Sequence, residues 1–245
     1  MTEALAFAGA SVMVVGTDAE VLADVVSQTP GNIIAHQADI SDETAVNGLV
    51  EATISNFGAI DVVINNAGIG MSNIRSGDRF ADPIYFWDVS DEWMQRFYEV
   101  HVRGPFLLTK AALPHMRAKG FGRIVTITTS LGTMLRGANA PYGTMKAASE
   151  ALCSAMSHDL SDSKITANIL IPGGAADTRF IPDTPLRPRQ TLIRPEVMGA
   201  PAVFLASHES DGITGRRVNA NYWDPSKSNA ENIAASCAPI GWSTE

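Results

Sequence analysis

The strongest constraint on the fold is a repeated alternation of short, continuously apolar runs with longer stretches of helical spacing. The run Ser11-Val12-Met13-Val14-Val15 reads as a strand buried on both faces. Asn32-Ile33-Ile34-Ala35-His36 and the runs 60–64, 123–129 and 165–171 also read as strands, and 212–221 carries a turn and a last strand. Between them, 18–27, 91–119, 142–160 and 195–206 read as helices. Ser41 or Asp42 can cap another. Its Val46, Leu49, Val50, Ile54 and Phe57 follow helical spacing and give one apolar face. Residues 2–8 look like the tail of a helix ending at Gly9, and Gly104-Pro105 interrupts the long one. Strands alternating with crossover helices predict an α/β fold, three layers deep, around a mostly parallel sheet.

Three stretches escape this alternation. Residues 69–90 form a long loop holding Phe80, Tyr85, Phe86 and Trp87, and its aromatic content favours a folded flap. Residues 130–140 read as a loop. Residues 175–194 hold Pro182, Pro185 and Pro188 and read as a loop-rich excursion, and 229–245 is a tail with short helical potential.

Composition narrows the function classes. The chain has 245 residues, 45% of them hydrophobic, which suffices for one sizeable core without an internal boundary. Its net charge of −8 argues against binding a nucleic-acid backbone, since no basic excess exists to release counterions. Two cysteines, Cys153 and Cys237, make neither a disulfide framework nor a metal site. No apolar run reaches membrane-spanning length. Met1-Thr2-Glu3-Ala4 is acidic, a poor start for a signal peptide, so a cytoplasmic location is expected.

The chemistry concentrates in Pro141-Tyr142-Gly143-Thr144-Met145-Lys146. On a helix, Tyr142 and Lys146 share one face, so a phenol and an ammonium stand side by side. A cation there favours the phenolate, which lets a tyrosine act as acid or base near neutral pH. On the spacing alone, a surface tyrosine beside a solvated lysine is the favoured reading, and the rest of the chain has to change it.

Other motifs stand around this pair. Asp39-Ile40 follows the second strand, Asn65-Asn66-Ala67-Gly68 follows the third, and Gly122-Arg123-Ile124-Val125 leads to Thr128-Thr129-Ser130. Beyond the pair come Pro172-Gly173, Phe204-Leu205-Ala206-Ser207 and Ile213-Thr214-Gly215. With these in order, the chain resembles the classical short-chain dehydrogenase/reductase family over essentially its whole length. The resemblance implies one Rossmann-like domain over residues 1–245, incomplete at its N-terminus, with 222–245 as a C-terminal tail and the strand order 3-2-1-4-5-6-7. It implies NAD or NADP across the carboxyl ends of the strands and hydride transfer with a small alcohol or carbonyl substrate.

By the same resemblance, Tyr142 is the acid/base, and Lys146 supports it and holds the nicotinamide ribose. A hydroxyl at the end of 123–129 orients the substrate oxygen. Ser130 is preferred; an ungapped alignment places Thr129 there instead. Asp39 and Ile40 would meet the adenine, Asn66 and Gly68 the adenosine half, and Gly173 and Ala175 the nicotinamide carboxamide. Asn65-Asn66 also suits a plain turn, and Pro172-Gly173 a plain strand end. The substrate pocket would be lined by 80–87, Met134-Leu135, 175–194 and Trp223. Helices 91–119 and 142–160 resemble the family's dimer and tetramer surfaces, so a homodimer or homotetramer is expected. No metal site, nucleic-acid partner or membrane partner is expected.

Three departures qualify the resemblance. The family's first strand and glycine-rich turn are missing, so the chain begins inside the following helix. That removes the amides and helix N-terminus that hold a pyrophosphate. It also leaves 11–15 and 60–64 without a shared neighbour, so an unsatisfied seam is expected unless the two strands pair directly. A truncated sequence is the favoured explanation, and a non-catalytic protein unable to hold the dinucleotide is the alternative. Second, Val100-His101-Val102-Arg103-Gly104 places His101 where the family has a relay asparagine; it can carry protons or only fill space. Third, Gly16-Thr17-Asp18 ends the first strand with neither a ribose-reading acid nor a 2′-phosphate-reading arginine, so the phosphate state of the cofactor stays open.

Overall fold

A computed structural model describes residues 1–77 and 81–241. Phe80 lies outside the described residues. The elements run α1 (Thr2–Phe7), β1 (Val12–Gly16), α2 (Ala19–Gln28), β2 (Ile33–Gln37), α3 (Glu43–Phe57) and β3 (Val62–Asn65). They continue α4 (Asp91–Tyr98), α5 (Gly104–Lys119), β4 (Gly122–Ile127), α6 (Leu131–Met134), α7 (Ala140–Asp159) and β5 (Ile165–Ile171). α8 (Gly199–Ala206), β6 (Arg216–Asn219), α9 (Asn229–Ser236) and β7 (Cys237–Pro239) complete the chain.

The strands are parallel except β7, which runs antiparallel to β6. They do not form one sheet. Among the described residues β1 pairs only with β2, and the other five strands follow the order β3-β4-β5-β6-β7. The expected neighbours are kept from β1 to β2 and from β3 to β6, and the order breaks between β1 and β3, which do not pair with each other. β7 is a correction, since the sequence reads 212–221 as carrying the last strand and 229–245 only as a tail. All five residues of β1 are half-buried, whereas all seven of β5 are buried.

The layers follow from the two-residue period of the strands. Ala167, Ile169 and Ile171 of β5 pack with Ile124, Ala112 and Met116 of α5, and Cys153 of α7. Leu170 points the other way, onto Val125, Val218 and the α8 residues Ala202, Phe204 and Leu205. Fully buried side chains such as Ile124 and Leu205 each contribute roughly 1.5–3 kcal/mol.

Local chemistry explains the boundaries. Asp42, not Ser41, caps α3 through the amides of Thr44 and Ala45, and Asp18 caps α2 in the same way. Gly58 and Gly120 end α3 and α5 in the left-handed conformation. The long helix is interrupted one turn earlier than Pro105 suggests. Residues Glu99–Arg103 form a π turn, and Pro105 sits in the first turn of α5, where its missing donor costs little. α6 lies inside the expected loop 130–140. Ser228 and Glu231 form a capping box for α9, after which Cys237 pairs with Val218 to begin β7. At three residues, β7 is too short to show a period.

Candidate active site

The loops at the carboxyl ends of β1 to β5 enclose a cavity of about 750 Å³. Gly16, Asp39, Asn66, Thr129, Tyr142 and Ala175 stand on its wall, contributed by both sheets. Of the expected site residues, Ile40, Gly68 and Lys146 also line it, and Ser130 and Gly173 do not.

α7 delivers the central pair. Gly143 lets this helix approach α6, since a Cβ there would lie 2.4 Å from the Met134 carbonyl oxygen. Lys146 is buried and its Nζ donates to the Ile127 carbonyl at 2.7 Å. That Nζ is 6.0 Å from the centre of the Tyr142 ring. Burial pushes the lysine down to about 8, so its charge is present below that pH and lost above it. The Tyr142 ring meets His101 edge-on at 5.6 Å and Phe180 at 5.5 Å.

At the end of β4 the two candidate hydroxyls have different surroundings. Thr128 Oγ1 donates to the buried Glu150 carboxylate at 2.8 Å. Thr129 stands on the cavity wall. Ser130 instead caps α6: its Oγ accepts from the Thr133 amide at 3.2 Å and lies 2.7 Å from Thr133 Oγ1. The serine preferred from sequence is therefore committed to a local helix cap, and the threonine before it faces the cavity.

At the other end, Asp39 accepts from the amide and hydroxyl of Ser41 and from Arg96 Nη2 at 2.8 Å. Partial burial opposes its ionisation, but Ser41 and the Arg96 guanidinium outweigh that and hold the carboxyl below its usual range. Ile40 packs against Gly104, where a Cβ would lie 2.8 Å from its terminal methyl. Gly173 has φ of +87°, and a Cβ there would lie 2.3 Å from Asn219 Oδ1. It turns the chain against β6, while its neighbours Pro172, Gly174 and Ala175 face the cavity.

His101 sits in the π turn, 1% exposed. Such turns recur at functional sites. Its Nε2 lies 2.8 Å from the Ile69 carbonyl and 3.2 Å from the Ile69 amide, and Gly68 abuts its ring. Burial, reinforced by the Lys146 charge, pushes it down to about 3. A charged relay through this imidazole is therefore disfavoured, and the ring pins the 68–69 backbone. The lowered value has a consequence for stability. Below about 6.5 the unfolded chain binds a proton that the folded chain refuses, at up to about 1.4 kcal/mol per pH unit. The urea midpoint is expected to fall between pH 6.5 and 4, and less steeply in His101→Asn. Parallel curves would show that the histidine contributes nothing to acid lability.

The expected aromatic lining is corrected. Tyr85, Phe86 and Trp87 are exposed; Tyr85 stacks on Trp87 with ring centres 4.9 Å apart, and Phe86 meets Trp87 edge-on at 5.0 Å. Trp223 packs on Phe204, and Leu135 is exposed. None of these stands on the cavity wall. Phe180, from the excursion, does, together with Arg75, Arg96, Arg136, Arg179 and Arg187. These arginines lie far apart in sequence and form no motif. Among the described residues, no cluster of three or more His, Cys, Asp or Glu could hold a metal ion. No helix there is long and apolar enough to cross a membrane.

The family model described as short chain dehydrogenase matches residues 1–184. An uncharacterized oxidoreductase of Methylorubrum extorquens is 31% identical, covering 90% of each chain. A (2S)-[(R)-hydroxy(phenyl)methyl]succinyl-CoA dehydrogenase subunit of Thauera aromatica is 32% identical, covering 87% of this chain and 86% of the relative. The crystal structure of a 3-ketoacyl-(acyl-carrier-protein) reductase from Brucella melitensis complexed with NADH is 28% identical, with a TM-score of 0.72 over 87% of each chain.

Proposed function

The chain belongs to the short-chain dehydrogenase family, and from that premise we propose that it is an oxidoreductase using NAD or NADP on a small alcohol or ketone. The observation that carries the reading is the buried Lys146 ammonium beside Tyr142, on a wall shared with Thr129 and Asn66. When bound, the nicotinamide would be the source or acceptor of the hydride. In the reductive direction the Tyr142 hydroxyl gives its proton to the carbonyl oxygen, and in the oxidative direction it takes the proton from the alcohol. The Lys146 charge favours the phenolate that results. Thr129 is the hydroxyl that orients the substrate oxygen, in place of Ser130.

The cavity fits a dinucleotide in part. Asp39 offers a carboxylate to an adenosine at one end, Ala67, Gly68 and Gly70 leave room along the wall beside Asn66, and Lys146 offers a donor at the other end. Asp39, Ile40, Asn66, Gly68 and Ala175 would hold the cofactor, with Gly173 shaping the turn beside it. The chain is proposed to act in the cytoplasm as a homodimer or homotetramer.

A second reading, a non-catalytic protein of the same fold, is favoured by one observation: the sheet is divided where the cavity opens beside Val15 and Gly16. Titration with NADH and with NADPH, followed by fluorescence, separates the two. Saturable binding of either is expected. Binding of neither would remove the dehydrogenase reading and leave the second.

A further inference from the structure

The cavity wall is positive although the chain is not. Arg75, Arg96, Arg136, Arg179, Arg187 and Lys146 line it, and among the described residues Asp39 is the only acidic side chain there. The chain as a whole carries a net charge of −8. A concave site lined by one sign of charge concentrates ligands of the opposite sign.

The arginines fall into two groups. Arg96 bonds Asp39 and Ser41 at the adenosine end, and Arg75 pairs with Asp82. Arg136, Arg179 and Arg187 come from the segments around Tyr142. Arg136 follows α6, the helix that packs on Gly143. Arg179 precedes Phe180, whose ring lies against both Tyr142 and Gly70. Arg187 lies in the same excursion, where its backbone amide donates to the Thr184 carbonyl at 3.1 Å.

That excursion is held from within. Arg189 bonds Asp177, the Thr178 carbonyl and the Ile181 carbonyl. Ala176 bridges to Ile193. One guanidinium therefore fixes the backbone on both sides of Arg179 and Phe180. Arg179 is thus carried on a braced backbone at the cavity wall, which lowers the backbone ordering that binding must oppose.

We propose that the substrate is an anionic hydroxy or oxo compound, bearing a carboxylate or a phosphate that Arg179 engages within the positive wall that Arg136 and Arg187 complete. Guanidinium groups suit both anions because their planar fork matches two oxygens at once. The anion sets the orientation of the substrate, and its carbonyl or alcohol carbon lies toward Tyr142. This assignment rests on the dehydrogenase reading above for its reaction, but not for its binding.

The test compares ketones that differ only in charge: 4-oxopentanoate against its methyl ester, and dihydroxyacetone phosphate against dihydroxyacetone, each with NADH and with NADPH. The charged member of at least one pair is expected to have the higher kcat/KM by about tenfold or more, the scale of one charge-assisted contact. That preference should shrink as ionic strength rises and collapse toward one in Arg179→Met. The cofactor is common to both members, so its own phosphates cancel from the ratio. The carboxylate and phosphate arms separate the two anions. Equal or better turnover of the neutral members overturns the proposal and leaves the dehydrogenase reading intact. If no ketone is reduced, calorimetric titration with 4-oxopentanoate and with dihydroxyacetone phosphate decides the anion site alone. Saturable binding weakened about tenfold by Arg179→Met supports it; absent or unaltered binding overturns it.

Discussion

Replacing Tyr142 with phenylalanine is expected to lower turnover by about 10²–10⁴-fold, the usual contribution of a positioned acid or base. The folded structure and the NADH titration should stay close to the parent. The argument is geometric. Phenylalanine keeps the ring that meets His101 edge-on at 5.6 Å and Phe180 at 5.5 Å, so the cavity wall keeps its shape. What disappears is one oxygen and its proton. Lys146 would still bond the Ile127 carbonyl at 2.7 Å, so the ammonium remains but has no phenol to act on. Its charge is present below about 8 and lost above, so support for the phenolate belongs to the lower side of that value. Steady-state assays beside thermal melts check the result. Undiminished turnover in a well-folded Tyr142→Phe chain would remove the tyrosine from the reaction.

How far such a site can be read from sequence depends on the range of each signal. Tyr142 and Lys146 are one helical turn apart, and Asn66 and Gly68 directly follow a strand. Those placements are local, and the structure brings the four residues to one cavity. The divided sheet was legible too, because two parallel strands need a neighbour whose absence leaves backbone groups unpaired. Thr129 and Ser130 differ by one position. The cavity-wall position of Thr129 and the cap that Ser130 makes to Thr133 separate them, although a serine three residues before a threonine at a strand end already hints at a local bond. His101 reads from sequence as a proton carrier or as a ring that only fills space. Its burial and its contact with Ile69 bear on that choice, and burial is a tertiary property. The arginine wall was illegible for a related reason. Arg136 and Arg179 lie 43 residues apart in sequence, and only the braced excursion brings them to one cavity.

Breaking the buried pair Glu150–Arg217 is expected to destabilise the fold more than any surface change. Glu150 is fully buried, and its Oε1 accepts from Arg217 Nη1 at 2.6 Å. Its other contacts are the Thr128 hydroxyl at 2.8 Å and the Gly241 amide at 3.3 Å. Arg217→Met leaves that carboxylate buried with only two neutral donors. Removing one partner of a buried pair costs about 3–5 kcal/mol, which in a chain of this size lowers the melting temperature by on the order of 10 °C. Replacing both with methionine removes the stranded charge as well as its partner and should recover much of the loss. A double variant no more stable than the single one would show that the pair itself, not the stranded charge, holds the core. The second readout is catalytic. Arg217 Nη2 also bonds the Thr129 carbonyl, and Glu150 lies one turn beyond Lys146 on α7. The pair therefore ties the hydroxyl-bearing end of β4 to the helix that carries the acid/base. A double variant that melts near the parent but turns over more slowly, with a lower kcat rather than a higher KM, identifies the pair as a positioning device. Parent-like kcat in that variant confines its role to the core.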